Sequence, residues 1–137
     1  MTSLTNKDFH SPRKLGNCLV IATLIVVAGH TVGSIWLYRA TDWFDNFVHL
    51  LGGIWLTLAV IFFFRREISP LKTFLVVFGG IIFWEIFEFG LNLYAKYAYG
   101  FATPVGGNAG DTIWDIILGI LGALITLSYI KIKGARE

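Results

Sequence analysis

The chain has 137 residues, the length of one domain. Hydrophobic residues make up 55% of it and charged residues only 15%, with a mean hydropathy of +0.68. This composition excludes an ordinary soluble domain and indicates a membrane protein.

Four hydrophobic stretches have the length of about 20 residues that crosses a ~30 Å hydrocarbon core. They cover approximately residues 17–37, 47–64, 71–94 and 112–130. Their polarity does not alternate, as it would in the strands of a membrane barrel, so they predict helices. We therefore expect an all-α integral membrane protein, a four-transmembrane-helix bundle in which residues 1–137 form a single membrane domain.

The first stretch follows three basic residues and could be read as a signal peptide. It continues past signal-peptide length to Tyr38 without a small-residue cleavage site, so we expect a retained anchor. Cys18 is the only cysteine, which excludes an intramolecular disulfide or a cysteine metal cage.

The distribution of Lys and Arg predicts the orientation of the helices. Nine of the 11 lie beside the first and last spans and in the second connection: Lys7, Arg13, Lys14, Arg65, Arg66, Lys72, Lys131, Lys133 and Arg136. Only Arg39 and Lys96 lie on the other side. The positive-inside rule then predicts a multi-pass protein of the inner (plasma) membrane with its N-terminus and C-terminus both cytoplasmic. A pI near 8.8 thus indicates contact with anionic membrane lipid and gives no evidence for nucleic-acid binding.

Six of the nine acidic residues fall at the external end in this topology: Asp42, Asp45, Glu85, Glu88, Asp111 and Asp115. Carboxylates in or beside hydrocarbon are costly, so their clustering is the strongest functional signal of the chain. The opposite half of the spans carries no acid, and its polar residues are Thr57, Thr73, Thr126 and Ser128.

Helical spacing predicts that these side chains share one cavity, because residues three or four apart lie on one helix face. The polar stripes continue into glycines, which allow neighbouring helices to approach closely. The three stripes are Asp45, His49, Gly52 and Gly53; Glu85, Glu88 and Asn92; and Asp111, Asp115, Gly119 and Gly122.

Simpler interpretations exist for several of these residues. Asp42 and Asp45 fit a solvated loop, and Asp111 fits a cap of the last helix. His30 on an apolar helix is more often a hydrogen-bonded interior residue than a ligand, and the tryptophans fit interfacial anchors. The simpler interpretation is weakest for Glu85 and Glu88, since two carboxylates one turn apart repel each other unless they are protonated, paired or bound to a cation.

Two kinds of chemistry fit the cluster. A divalent metal ion such as Zn, Mn, Fe or Mg suits the ligand set Asp45, His49, Glu85, Glu88, Asp111 and Asp115. Alternatively, shared protons make the candidate catalytic residues Glu85, Glu88 and Asp115 a general acid/base group.

The connection from Lys96 to Gly110 is rich in glycine and contains Pro104. We expect it to form a folded lid over the acidic pocket through Tyr97, Tyr99 and Phe101, with a mobile loop as the alternative.

The motifs carry a resemblance to known families. They are D-x3-H-x3-G from Asp45, W-E-x2-E from Trp84, A-T from Ala102, G-D-T-x2-D from Gly110 and G-A from Gly122. Together they resemble the YjdF-like family of small bacterial inner-membrane proteins and, more distantly, the VanZ-like membrane proteins associated with glycopeptide resistance. The resemblance implies a fold and a polar signature at Asp45, His49, Glu85, Asp111 and Asp115, but no activity. Asn46 and Glu88 depart from the VanZ-like pattern, which has lysine and glutamine there, and the arginine before its last helix is absent.

The expected function is an outward-facing acidic and histidine pocket that binds a cation or a lipid headgroup. One alternative is a metal-assisted hydrolase or transferase acting on a lipid-linked substrate. Another is a proton-coupled carrier, which at this length requires a homo-oligomer.

Overall fold

The computed structural model describes residues 12–41, 43–64, 68–100 and 109–134, and every regular element among them is helical. Helix α1 covers Pro12–Val32 and continues through a π-helical turn, Gly33–Leu37, into a short α-helical end, Tyr38–Ala40. Helix α2 covers Phe44–Phe64, α3 covers Pro70–Tyr99 and α4 covers Ala109–Gly134. The described part thus contains four helices long and apolar enough to cross a membrane, which confirms the predicted fold class.

Helix α3 is longer than the predicted span at its second end. Pro70 occupies the first turn, and the backbone N–H of Lys72 donates to the Ser69 hydroxyl at 3.4 Å, which caps the start. The helix ends at Gly100, whose φ of 72° is left-handed and whose N–H donates to the carbonyl oxygen of Lys96. The apolar run predicts an end at residue 94, five residues too early, because aromatic and basic residues obscure where the helix stops.

One part of the predicted lid is wrong because α3 continues further than predicted. Tyr97 and Tyr99 belong to α3, and both are exposed, Tyr97 by 82%. They do not cover the bundle. The rest of the expected lid, residues 101–108, lies outside the described residues.

Helix α2 is the central helix, since it contacts each of the other three and packs most extensively on α4. The α2–α4 contact depends on glycines: a Cβ added at Gly53 would collide with the carbonyl oxygen of Gly119, and one at Gly122 with that of Leu50. Small residues permit such close approach between membrane helices. Gly52 has open space around it, so its predicted role in close packing is wrong.

Two ends of the bundle differ in character. The core cluster of Val60, Val77, Ile81 and Ala123 joins three helices. It lies in the second halves of α2 and α4 and in the first half of α3. Towards the other end, where α1 and α3 finish and α2 and α4 begin, lie Asp45, His49, Glu85 and Asp115. We call this the acidic end.

Candidate functional site

His49 is the centre of the polar cluster at the acidic end. Its Nδ1 lies 3.5 Å from Oε1 of Glu85, while its Nε2 lies 3.6 Å from Oδ1 of Asp45 and 3.8 Å from Oδ1 of Asp115. Three helices supply these side chains. The structure thus brings together four of the predicted site residues.

The packing one turn below explains why they meet. Asp45 and His49 are one turn apart on α2, and Gly53 follows one turn later against Gly119 of α4. That close approach holds Asp115, one turn before Gly119, opposite His49. Helix α3 joins the same tier because Ile81 packs at Gly119, which places Glu85 one turn further along, beside the imidazole.

The cluster is buried but lacks hydrogen bonds. Asp115 is only 2% exposed, and the side chains of His49 and Asp45 are 6% and 18% exposed. Buried polar atoms normally have a partner, yet four have none among the described residues: Oδ1 of Asp45, Nε2 of His49, Oε1 of Glu85 and Oδ1 of Asp115. The three carboxylate oxygens lie 3.5–3.8 Å from ring nitrogens of His49, which is too long for a hydrogen bond. The arrangement is therefore costly unless something further binds to it.

Three of the residues offer ligand atoms that lie close to one another. One atom each from Asp45, His49 and Asp115 lies within 4.8 Å of the others. Imidazole nitrogen and carboxylate oxygen are ordinary metal ligands, so this group has both the chemistry and the proximity for an ion.

The other predicted site residues lie around this group. Glu88 is half-buried and accepts a hydrogen bond from the indole of Trp84. Asp111 is half-buried in the first turn of α4, near enough to Asp45 and Asp115 to interact with them electrostatically. Asp42 lies outside the described residues.

Tyr38 is a polar residue near the cluster that is not among the predicted site residues. Its hydroxyl forms a hydrogen bond of 2.9 Å with Nδ1 of His30, and it interacts electrostatically with Asp45, Glu88 and Asp115. The same bond confirms the interpretation of His30 as a hydrogen-bonded, partly buried histidine.

The π-helical turn brings Tyr38 to this position. In a regular α-helix, residues 30 and 38 are about 80° apart around the axis at 100° per residue. A π-turn accommodates one extra residue, so the pair behaves as i, i+7 and shares a face. The ring of Tyr38 then covers Gly33, where any Cβ would collide with it. A glycine five residues before a tyrosine near a helix end was the available signal in the sequence.

The fold and the cluster define a class of protein: a helical, multi-pass membrane protein with buried polar residues near one end of its bundle. Residues 5–136 match the model of the family described as "Predicted membrane protein (DUF2238)", and the chain belongs to that family. No curated protein and no solved structure matches the chain. The family match confirms the membrane class, while the resemblance to YjdF-like and VanZ-like proteins stays a prediction.

Proposed function

We propose that this membrane protein binds a divalent cation at the acidic end of its bundle, between Asp45, His49 and Asp115. The observation that carries the proposal is the set of buried, mutually facing atoms without hydrogen-bond partners. A cation between them supplies the missing partner for the two carboxylates and the imidazole.

The charge balance of the site supports a divalent ion. Two aspartates carry two negative charges in a buried position, and an uncompensated buried charge is strongly destabilising. Arg39 and Lys96, the two basic residues predicted on this side, are both exposed on the surface of their helices. A divalent cation bound by the two aspartates and a neutral histidine offsets the charge of both aspartates, while Glu85 remains beside the other ring nitrogen.

The predicted lipid headgroup fits the same site only together with a cation. Phosphate groups of lipids are anionic, and Asp45, Asp115 and Glu85 would repel a bare phosphate. A metal ion held by the carboxylates removes that repulsion and bridges protein and headgroup. The proposal thus includes membrane lipid as a partner through the ion.

The carrier alternative has less support from the opposite half of the bundle. The buried polar side chains described there are Thr57, Thr73 and Thr126. The hydroxyls of Thr57 and Thr126 donate to carbonyl oxygens of their own helices at 2.7 and 3.0 Å, and that of Thr73 donates to the N-cap residue Ser69 at 3.1 Å. These hydroxyl donors are therefore already used in local hydrogen bonds. The enzyme alternative keeps more support, since one imidazole and two carboxylates leave coordination positions for water or substrate.

The test uses purified protein in detergent after treatment with a chelator. A divalent cation at 100 times its dissociation constant should raise the free energy of unfolding of the parent by about 2.7 kcal/mol. Asp115→Asn should lose this gain. In chelator alone, the same variant should be at least as stable as the parent, because it keeps the shape and removes a buried charge.

Glu88→Gln is the matched control, because it neutralises a nearby carboxylate that is bonded to Trp84 and lies outside the three-residue group. It should keep most of the gain. Melting temperatures of the parent that respond neither to Zn²⁺, Mn²⁺, Mg²⁺ and Ca²⁺ nor to chelator would refute the proposal.

A further inference from the structure

The carboxylates around His49 face different nitrogens of its ring. Asp45 and Asp115 face Nε2, whereas Glu85 faces Nδ1. The two ring nitrogens point in different directions, so one ion cannot bind to both. A neutral imidazole carries a proton on one nitrogen and a free electron pair on the other. The site therefore offers Nε2 to a metal and places Nδ1 where its N–H can point at Glu85.

We infer that Nε2 of His49 and Oδ1 of Asp45 and Asp115 bind a transition-metal ion of the Zn²⁺ class, and that Glu85 positions His49 without binding the metal. This inference rests on the proposed cation binding and specifies the ligand atoms, the class of ion and the role of Glu85. It also narrows the ligand set expected from the sequence, which contains Glu85, Glu88 and Asp111 in addition to these three residues.

The distances on the Nε2 side fit an ion. Two ligand atoms that are each about 2.1 Å from a tetrahedral metal lie about 3.4 Å apart. The observed separations from Nε2, 3.6 and 3.8 Å, exceed this by only a few tenths of an ångström. Both Asp115 and the His49 side chain are more than nine-tenths buried, and their facing atoms have no hydrogen-bond partner in the described part of the chain.

Glu85 has the position of a partner that orients a metal-binding histidine. In metal sites, the second ring N–H usually donates to a carboxylate or carbonyl, which fixes the tautomer and makes the other nitrogen a better ligand. Nδ1 of His49 has Glu85 at 3.5 Å, while both aspartates lie on the opposite side. A proton on Nδ1 can thus be donated in a hydrogen bond to Glu85, and the electron pair of Nε2 stays free for the metal.

The ligand set selects the class of ion. One imidazole nitrogen with two carboxylate oxygens suits Zn²⁺, Mn²⁺ or Fe²⁺, whereas Mg²⁺ and Ca²⁺ prefer six or more oxygen ligands. Three protein ligands also leave a fourth position open, as in catalytic zinc sites. Asp45 is the most exposed of the three, so the open position is reached from its side.

The test is a titration of chelator-treated protein in detergent with Co²⁺, whose visible spectrum reports coordination by nitrogen and oxygen ligands. The parent should bind one Co²⁺ per chain, Zn²⁺ should displace it, and equal concentrations of Mg²⁺ or Ca²⁺ should not. His49→Ala and Asp115→Asn should abolish the visible bands. His30→Gln, which changes the histidine bonded to Tyr38, should keep them.

Glu85 variants separate positioning from coordination. Glu85→Ala should weaken Co²⁺ binding by about 10- to 100-fold, the usual cost of losing such a partner, with the same stoichiometry and band positions. Glu85→Gln should recover part of the affinity, because its amide oxygen can accept a hydrogen bond from Nδ1 once metal binding closes the 3.5 Å separation.

Each contrary outcome identifies what has failed. No binding of any divalent cation by the parent would overturn the proposed function. Binding by the parent with shifted bands in Glu85→Gln would make Glu85 a ligand and overturn the inference alone. Equal competition by Mg²⁺, or bands that persist in His49→Ala, would also overturn the inference while cation binding stands.

Discussion

Tyr38 illustrates how a single side chain reaches the polar cluster from the least buried helix. Its hydroxyl bonds to His30, and its ring lies over Gly33. The ring of His30 also packs against Trp84 of α3, with ring centroids 5.3 Å apart. His30, Tyr38 and Trp84 thus connect the end of α1 to the helix that carries Glu85 and Glu88.

The hydroxyl of Tyr38 should contribute to stability. Tyr38→Phe keeps the ring over Gly33 and leaves Nδ1 of His30 without its partner, so the free energy of unfolding should fall by about 1 kcal/mol. Thermal unfolding in detergent measures the change. Tyr97→Phe is the control, since Tyr97 is exposed, and it should behave as the parent. Equal stability of the parent and both variants would show that the His30–Tyr38 bond contributes nothing measurable.

At the scale of the helices, the approach of α2 and α4 determines whether the site forms. Gly53 and Gly122 each face a backbone carbonyl of the other helix. Backbone atoms cannot move aside as a flexible side chain can. The separation of the two helices, and with it the distance from His49 to Asp115, is therefore sensitive to one added methyl group.

Gly53→Ala and Gly52→Ala test this sensitivity with neighbouring glycines. Alanine at Gly53 should cost about 1–3 kcal/mol of unfolding free energy, as overpacking commonly does, and should weaken cation binding by separating Asp115 from His49. Alanine at Gly52, which has nothing within 4 Å of an added Cβ, should be neutral or stabilising. Cation titration and thermal unfolding measure both effects. A tolerated Gly53→Ala with parental binding would contradict the role of the close contact.

Much of this architecture follows from the sequence because its causes are local or periodic. Continuous apolar runs predict the helices, and the spacing of Asp45 and His49 places both on one face. Other features depend on tertiary packing, which cannot be inferred from the periodicity of the sequence. Examples are the π-turn before Tyr38 and the open surroundings of Gly52. Another is that Glu85 and Asp115 lie beside different nitrogens of the His49 ring.

Considered as a whole, the molecule is polarised along the helix axes. The buried histidine and carboxylates lie at the acidic end, and four of the five tryptophans are exposed near the same end: Trp36, Trp43, Trp84 and Trp114. Exposed indole rings favour the interface between lipid and water. We therefore predict that the cluster lies near one membrane surface, within reach of a soluble ion or a headgroup.

The side of the membrane that the acidic end faces is a separate prediction from the basic residues. Because nine Lys and Arg lie on one side and two on the other, reporter fusions at the N-terminus, after Ile68 and at the C-terminus should read cytoplasmic. Fusions near Thr41 and Gly107 should read external. As a control, changing Arg65, Arg66 and Lys72 together to glutamine should weaken the bias, because it removes the basic residues of the second connection. A cytoplasmic signal near Thr41 in the parent would place the cation site at the inner leaflet, and the geometry around His49 would be unaffected.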